Sequence, residues 1–499
     1  MKRQVLFLMT DTTRKDMLGC YGDKRMFTPN LDKLAAEGIR FENAYTCQPV
    51  CGPARSALFT GLFPHSNGSI SNCVAMGDNV KTIGQRLSDN GINCGYIGKW
   101  HLDGSDYFGN GVCPQGWDKK YWYDMRTYLE ELSDEDRVKS RKPESAFEPW
   151  MSAEFTYGRR CSDRAIKFLE EYKDRDFFLA VSYDEPHGPC LCPAPYNTMY
   201  ENFRIEDNPA YHDDLSGKPL VQRLWAGPRM GNSSEELRQG VKYLPLYLGC
   251  NSFADAEMGR VLDKLNEIAP DAMVIFTSDH GDMLGAHRLS NKGCSAYREI
   301  ANIPLIIKGG EKGKVVDAPA SHIDLVPTIM DYMSLPIPKI LEGRSMLPQI
   351  KDTKKRINET VFLEYTRYEV DHDSQGGLQM LRAAVNQKYK LVINLLDTDE
   401  FYDLEKDPYE VTNQVNNPEY AAARDALHDE LLENMNRTRD VYRGYHWAVR
   451  PWRKDKEPTW INDGHTRQRE NEEYEKRQLD YTTGLVMREA VRDWRKIWK

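Results

Sequence analysis

Long hydrophobic runs are missing from this 499-residue chain: none approaches the roughly 18–20 apolar residues that cross a bilayer. No membrane partner is therefore expected. The start Met1-Lys2-Arg3 leads into only a short apolar run, Val5 to Met9, before Thr10-Asp11 interrupts it. That makes a poor secretory leader, and the cytoplasm is the expected compartment. Positive charge is not in excess either. With 67 Lys+Arg against 76 Asp+Glu the formal charge is −9, which lacks the basic face of a dedicated nucleic-acid binder. The 11 cysteines form no framework, because an odd number cannot pair completely and their spacing is scattered. Reduced, mostly buried thiols are expected. Cys47 with Cys51 and Cys190 with Cys192 each lack the second pair of a closed zinc site. Repeats and low-complexity tracts are also absent, and 40% hydrophobic residues suffice for a sizeable core.

What is present is an alternation of apolar runs and helical stretches. Val5–Met9 reads as a buried parallel strand ending at Asp11. Helical spacing follows at Leu31 to Glu37, a strand at Ile39 to Tyr45, helices at Arg55 to Thr60 and Val80 to Asn90, and a short strand from Gly95 to Gly98. Phe177–Tyr183, Ala272–Thr277 and Ile303–Ile307 repeat the strand pattern, with a long helix from Tyr243 to Ile268. Polar clusters at strand ends predict an α/β sheet with one active edge. From about residue 356 short strands predominate (Val361–Tyr365, Leu381–Val385, Lys390–Asn394, Glu400–Tyr402), then a helix near Ala421–Asn436. The expected division is a catalytic domain over 1–355, an α+β subdomain over 356–436 and a tail over 437–499. The tail has 16 Lys+Arg against 11 Asp+Glu and holds Trp447, Trp452, Trp460, Trp494 and Trp498. It is expected to pack on the body or on a neighbouring subunit, with a homo-oligomer favoured.

The segment Cys51-Gly52-Pro53-Ala54-Arg55 precedes a helix that stops at Thr60-Gly61. It puts a thiol at a helix N-terminus, where amide N–H groups attract anions, with Arg55 one turn along to hold an oxyanion. Asp11, Asp279 and His280 all follow apolar strands, and together they suggest a site for a hard divalent cation.

These motifs resemble the type I sulfatases of the alkaline phosphatase superfamily. The likeness rests on Cys51 to Gly61, Gly98-Lys99-Trp100-His101, Ser278-Asp279-His280-Gly281, and Phe401-Tyr402-Asp403-Leu404 with Asp407-Pro408 and Glu410. It runs from about residue 4 to 415 and is nearest to uncharacterised bacterial sulfatase-like proteins, more distantly to iduronate-2-sulfatases. The resemblance implies an alkaline-phosphatase-like, mostly parallel sheet flanked by helices, and hydrolysis of a sulfate ester. It implies that Cys51 is converted to formylglycine by a maturation enzyme. It further implies one divalent metal held by Asp11, Cys51, Asp279 and His280, with Ca²⁺ favoured over Mg²⁺ or Mn²⁺, and catalytic roles for Cys51, Arg55, Lys99, His101, His187 and Lys292. Two positions depart from the family pattern: Thr12 stands where a second acid is usual, and His280 where many members have Asn.

The expected substrate is a small-molecule or oligosaccharide sulfate ester, a sulfated carbohydrate or an aryl sulfate. Tyr107, Trp117, Tyr121, Trp122 and Tyr123 suit either ring stacking or a core. Glu364, Arg367, Tyr368, Glu369 and His372 are candidate leaving-group contacts, and His287 a supporting residue. The rival reading is a phosphonate monoester or phosphodiester hydrolase of the same superfamily. A pure binding protein fits less well, since nucleophile, cation ligands and oxyanion clamp are all present.

Overall fold

Strand-forming runs of alternating facing define the scaffold. In the computed structural model, which describes residues 2–456 save Ser105, Asp106, Lys242 and Gly376, eight strands make one large sheet. They are β1 (Gln4–Thr10), β2 (Ile39–Tyr45), β3 (Asn93–Gly98), β4 (Phe177–Ser182), β5 (Met273–Ser278), β6 (Asn302–Lys308), β7 (Lys314–Val316) and β8 (Ala320–Ser321). The order is β3-β4-β1-β5-β6-β2-β7, with β8 also paired to β2. β3, β4, β1 and β5 run parallel, and β6 alone is antiparallel to both its neighbours. The mostly parallel α/β sheet expected from the sequence is the fold observed.

Period-two facing explains the packing on both sides. Val5, Phe7 and Met9 enter one core with Phe59 and Trp100, while Leu6 and Leu8 enter the other with Phe168 and Val261. The helices Cys51–Thr60, Tyr157–Tyr172 and Leu244–Ile268 supply these layers. Trp117, Tyr121, Trp122 and Tyr123 are buried core residues, packed around Tyr96, Trp100 and Phe168.

A second, antiparallel sheet has β9 (Thr360–Arg367), β10 (Leu378–Asn386), β11 (Tyr389–Asn394) and β12 (Glu400–Asp403) in the order β12-β11-β10-β9. One face, with Val361, Leu363, Ala383 and Val392, packs on Val50, Cys294 and Ala296 of the large body. The other, with Ala384, Leu391 and Ile393, packs under the Ala421–Arg437 helix and Trp447. Trp452 donates its Nε1–H to Asp399 at 2.8 Å. Trp460, Trp494 and Trp498 lie outside the described residues. Among the described residues no helix is long and apolar enough to cross a membrane.

Because β3, β4, β1 and β5 are adjacent and parallel, their carboxyl ends share one edge. Lys99 follows β3, Asp184 stands two residues past the end of β4, Asp11 follows β1 and Asp279 follows β5. Residues nearly 270 positions apart thus meet without any long-range loop.

Candidate active site

Cys51 opens a ten-residue helix in which every residue is buried. The helix begins at Cys51 rather than at Arg55, the first residue with clear apolar spacing. Pro53 sits in its first turn, where its missing N–H costs nothing, and Gly52 N–H donates to Asn72 Oδ1 at 2.9 Å. The helix ends at Gly61, which takes φ +71° and returns its N–H to Ala57.

Four side chains converge at this N-terminus. Ligand atoms of Asp11, Cys51, Asp279 and His280 lie within 4.8 Å of one another, all buried. Cys51 Sγ is 3.1 Å from His280 Nε2 and 3.9 Å from Asp11 Oδ1. His280 Nδ1 faces the Gly281 carbonyl at 2.8 Å, so Nδ1–H donates there and Nε2 is the atom turned to the cluster. Gly281 admits no other residue: a Cβ would stand 2.0 Å from the Glu299 carbonyl oxygen. Thr12, in the usual place of a second acid, donates from Oγ1 to Asp11 Oδ1 at 2.6 Å and from its N–H to Asp279 Oδ1 at 3.1 Å.

The residues present fit a divalent cation. Burial and repulsion from the nearby Asp11 carboxylate push Asp279 up to about 6, against the pull of His280 and Arg55. A cation bound by two carboxylate oxygens and an imidazole nitrogen would relieve that repulsion.

Arg55 behaves differently from the sequence expectation. Its Nε donates to Asp279 Oδ2 at 3.1 Å, Nη2 to Asp11 Oδ2 at 2.9 Å, and Nη1 to the Lys99 carbonyl at 2.7 Å and Ser182 Oγ at 2.8 Å. Fully buried and with its donors engaged by the protein, it clamps the two carboxylates instead of holding an oxyanion. The cations that face the reaction centre are Lys99 and Lys292. Lys99 Nζ lies 2.9 Å from Asp11 Oδ2 and 3.2 Å from Asp184 Oδ1, over the Tyr107 ring at 3.9 Å. Burial opposes ionisation of the Cys51 thiol, as does Asp11, but Lys292, His280 and Lys99 outweigh both and bring it down to about 6.

Lys292 heads a relay. Its Nζ is 3.2 Å from His187 Nε2; His187 Nδ1 lies 2.9 Å from Tyr107 Oη and 3.0 Å from the Gly188 carbonyl; Tyr107 Oη donates to Asp184 Oδ1 at 2.6 Å. With its Nδ1–H given to the carbonyl, His187 accepts at Nε2 from the Lys292 ammonium. Burial and the two lysines hold His187 well below its ordinary range, while Lys292 is held well above its own, because the negative charge of Cys51, with Tyr368 and Asp11, outweighs burial. His101 adopts φ +53° and packs edge-on against Tyr107; burial, with Lys99 and Arg55, brings it down to about 3, so it is a neutral base at pH 7.

Other expected contacts lie elsewhere. His287 is not beside the nucleophile: it donates toward Asp213 Oδ2 at 2.6 Å and stacks on Tyr297 at 3.9 Å. Glu364 turns away from the site to a short contact with His65, and Arg382 bridges between them and Asp440, so that second acidic cluster already holds its own cation. Arg367 pairs with Asp373 and Glu369 with His372. Tyr368 does reach the site, with Lys292 Nζ 5.9 Å from its ring. Asp184 and Ser182 were not singled out in the sequence; their position at the end of β4 was the available signal.

A cleft of about 370 Å³ opens beside this cluster. Thr12, His187 and Lys292 form its inner end; Arg229, Asn232 and Tyr243 lie along its walls, contributed by the 194–242 insertion and the start of the long helix. Its size is that of a small-molecule site.

Comparison with known proteins gives consistent matches. The model of the sulfatase family matches residues 3–335, and that of the N-sulphoglucosamine sulphohydrolase C-terminal region matches residues 285–437. The chain is 44% identical over 495 residues to the uncharacterised sulfatase YidJ of Escherichia coli K12, covering 97% of each. It is 26% identical over 512 residues to an N-acetylglucosamine-6-O-sulfatase of Bacteroides thetaiotaomicron, covering 87% of each. The phosphonate monoester hydrolase of Agrobacterium radiobacter shares the fold, with a TM-score of 0.72 at 23% identity over 88% of this chain and 96% of that one.

Proposed function

The chain belongs to the sulfatase family and is a sulfatase hydrolase, and from that premise we propose that it cleaves the sulfate ester of a sugar through a formylglycine made from Cys51. The observation that carries the reading is the convergence of Cys51, at a buried helix N-terminus, with Asp11, Asp279, His280 and two lysines. The carbohydrate leaving group is supported by likeness to a relative named as an N-acetylglucosamine-6-O-sulfatase and by a cleft whose wall sets Arg229 and Asn232 beside the aromatic rings of Tyr243 and Tyr247.

Asp11, Asp279, His280 and residue 51 would hold the divalent cation, Ca²⁺ being favoured, which when bound supplies Lewis-acid charge to the ester oxygens. The hydrated aldehyde supplies the attacking hydroxyl at sulfur. Lys99 and Lys292 hold the charged oxygens of the ester. The Lys292–His187 pair gives a proton to the departing alcohol oxygen as the S–O bond to the sugar breaks. His101, neutral and adjacent, takes the proton of the second hydroxyl at position 51, so that sulfate leaves and the aldehyde reforms.

Peptide mass spectrometry of active protein should show the aldehyde at position 51, and Cys51→Ala should abolish turnover. Full activity from homogeneous unmodified protein would overturn the mechanism. Sulfate, phosphonate and phosphodiester substrates assayed side by side decide the reaction class: faster turnover of phosphonate monoesters would select the rival reading.

A further inference from the structure

One guanidinium on the cleft wall has no carboxylate partner among the described residues. Arg229 sits half-buried on the turn Gly227–Gly231, and its Nη1 reaches only the Ala226 carbonyl, at 3.5 Å. Two half-buried arginines elsewhere show the usual alternative of a carboxylate partner, Arg159 with Glu257 and Arg260 with Asp163. The carboxylates that line the same cleft are tied to backbone caps. Asp282 accepts from Leu284 N–H at 2.8 Å, and Glu236 from Ser233 N–H at 2.7 Å. Arg229 is thus an unspent cation facing a cavity whose inner end holds Lys292 and His187.

The turn that carries it is built into the body. Arg288 Nη1 lies 3.2, 3.2 and 2.6 Å from the carbonyl oxygens of Arg229, Met230 and Asn232, and its Nε donates to the Asp213 carbonyl at 2.7 Å. Three carbonyls drawn to one guanidinium fix the turn's backbone and leave the Arg229 and Asn232 side chains to the cleft. A planar fork of donors with no internal acceptor recognises a carboxylate or a sulfate.

We infer that Arg229, with the Asn232 amide, forms a subsite for a second anionic group on the leaving group. The preferred substrate is then a sulfate ester of a sugar that also bears a carboxylate or another sulfate. The inference rests on the sulfatase reading, but the subsite can be read without chemistry. Binding of leaving-group fragments to the full-length protein is measured by calorimetry. The probes are glucuronate for the carboxylate, glucosamine 2-N-sulfate for the sulfate, and N-acetylglucosamine as the neutral control. One anion should bind about fivefold or more tighter than the neutral sugar, and which one identifies the group recognised. Arg229→Gln should remove that preference, Arg229→Lys should keep part of it, and Arg229→Glu should reverse it. Equal affinity for anionic and neutral fragments, no binding of either anion, or a preference intact in Arg229→Gln would overturn the subsite. Failure of the sulfatase reading would look different: no sulfate ester turned over by aldehyde-bearing protein.

Discussion

The Lys292 ammonium lies 3.2 Å from His187 Nε2, and the arrangement makes a kinetic claim. A sugar alkoxide is a poor leaving group and needs a proton, whereas a nitrophenolate departs without it. Lys292→Ala should therefore slow sugar sulfates by about 10²–10⁴-fold and 4-nitrophenyl sulfate far less. A steady-state comparison of the two substrates checks it, and equal losses on both would assign Lys292 to binding the ester alone. The roles of single residues were unevenly legible. Cys51, Lys99 and His101 sit in contiguous motifs, so their neighbourhood could be read in one dimension. The direction of Arg55 could not, because its partners Asp11, Asp279 and Ser182 come from three other strands.

Elements set these side chains in place through close backbone approaches. Gly98 ends β3 with φ +118°, and a Cβ there would stand 1.9 Å from the Ser182 carbonyl oxygen on β4. Gly98→Ala must push the two strands apart and carry Lys99 with them. We expect a loss of about 3 kcal/mol in stability, together with loss of turnover, checked by chemical denaturation and assay. The strands themselves were plain in the sequence: β1, β4, β5 and β6 are unbroken apolar runs buried on both faces, which few other structures accommodate. Helix starts were less plain, since the Cys51–Thr60 helix is buried on every side and shows no amphipathic stripe to mark its first turn. The aromatic residues at 117–123 and the cleft-lining turn at 227–231 lie in loops, where tertiary contacts decide between core and surface.

At the scale of the molecule, the second sheet is wedged between the catalytic body and the Ala421–Arg437 helix, and a charged joint secures it. His65 from the body meets Glu364 of β9, beside Arg382 and Asp440. Burial opposes its protonation, but the Glu364 charge and hydrogen bond raise His65 from 6.5 to about 9. A raised folded-state value means the joint contributes fully below 6.5 and loses that contribution as pH rises through 9. Melting temperature should fall by several degrees between those limits, and His65→Gln should flatten the slope while lowering the plateau. A profile in His65→Gln parallel to that of the native protein would assign the pH dependence to other groups.

The burial of position 51 also has a temporal side. Its side chain is 1% exposed, and the helix it opens is enclosed along its whole length. The proposed maturation enzyme would have to reach Cys51 before this helix is enclosed. The modification proposed here then competes with folding as a race in time. On that proposal, chains that folded first would keep the thiol, and the aldehyde content of a preparation would record how fast maturation ran against ribosome and collapse.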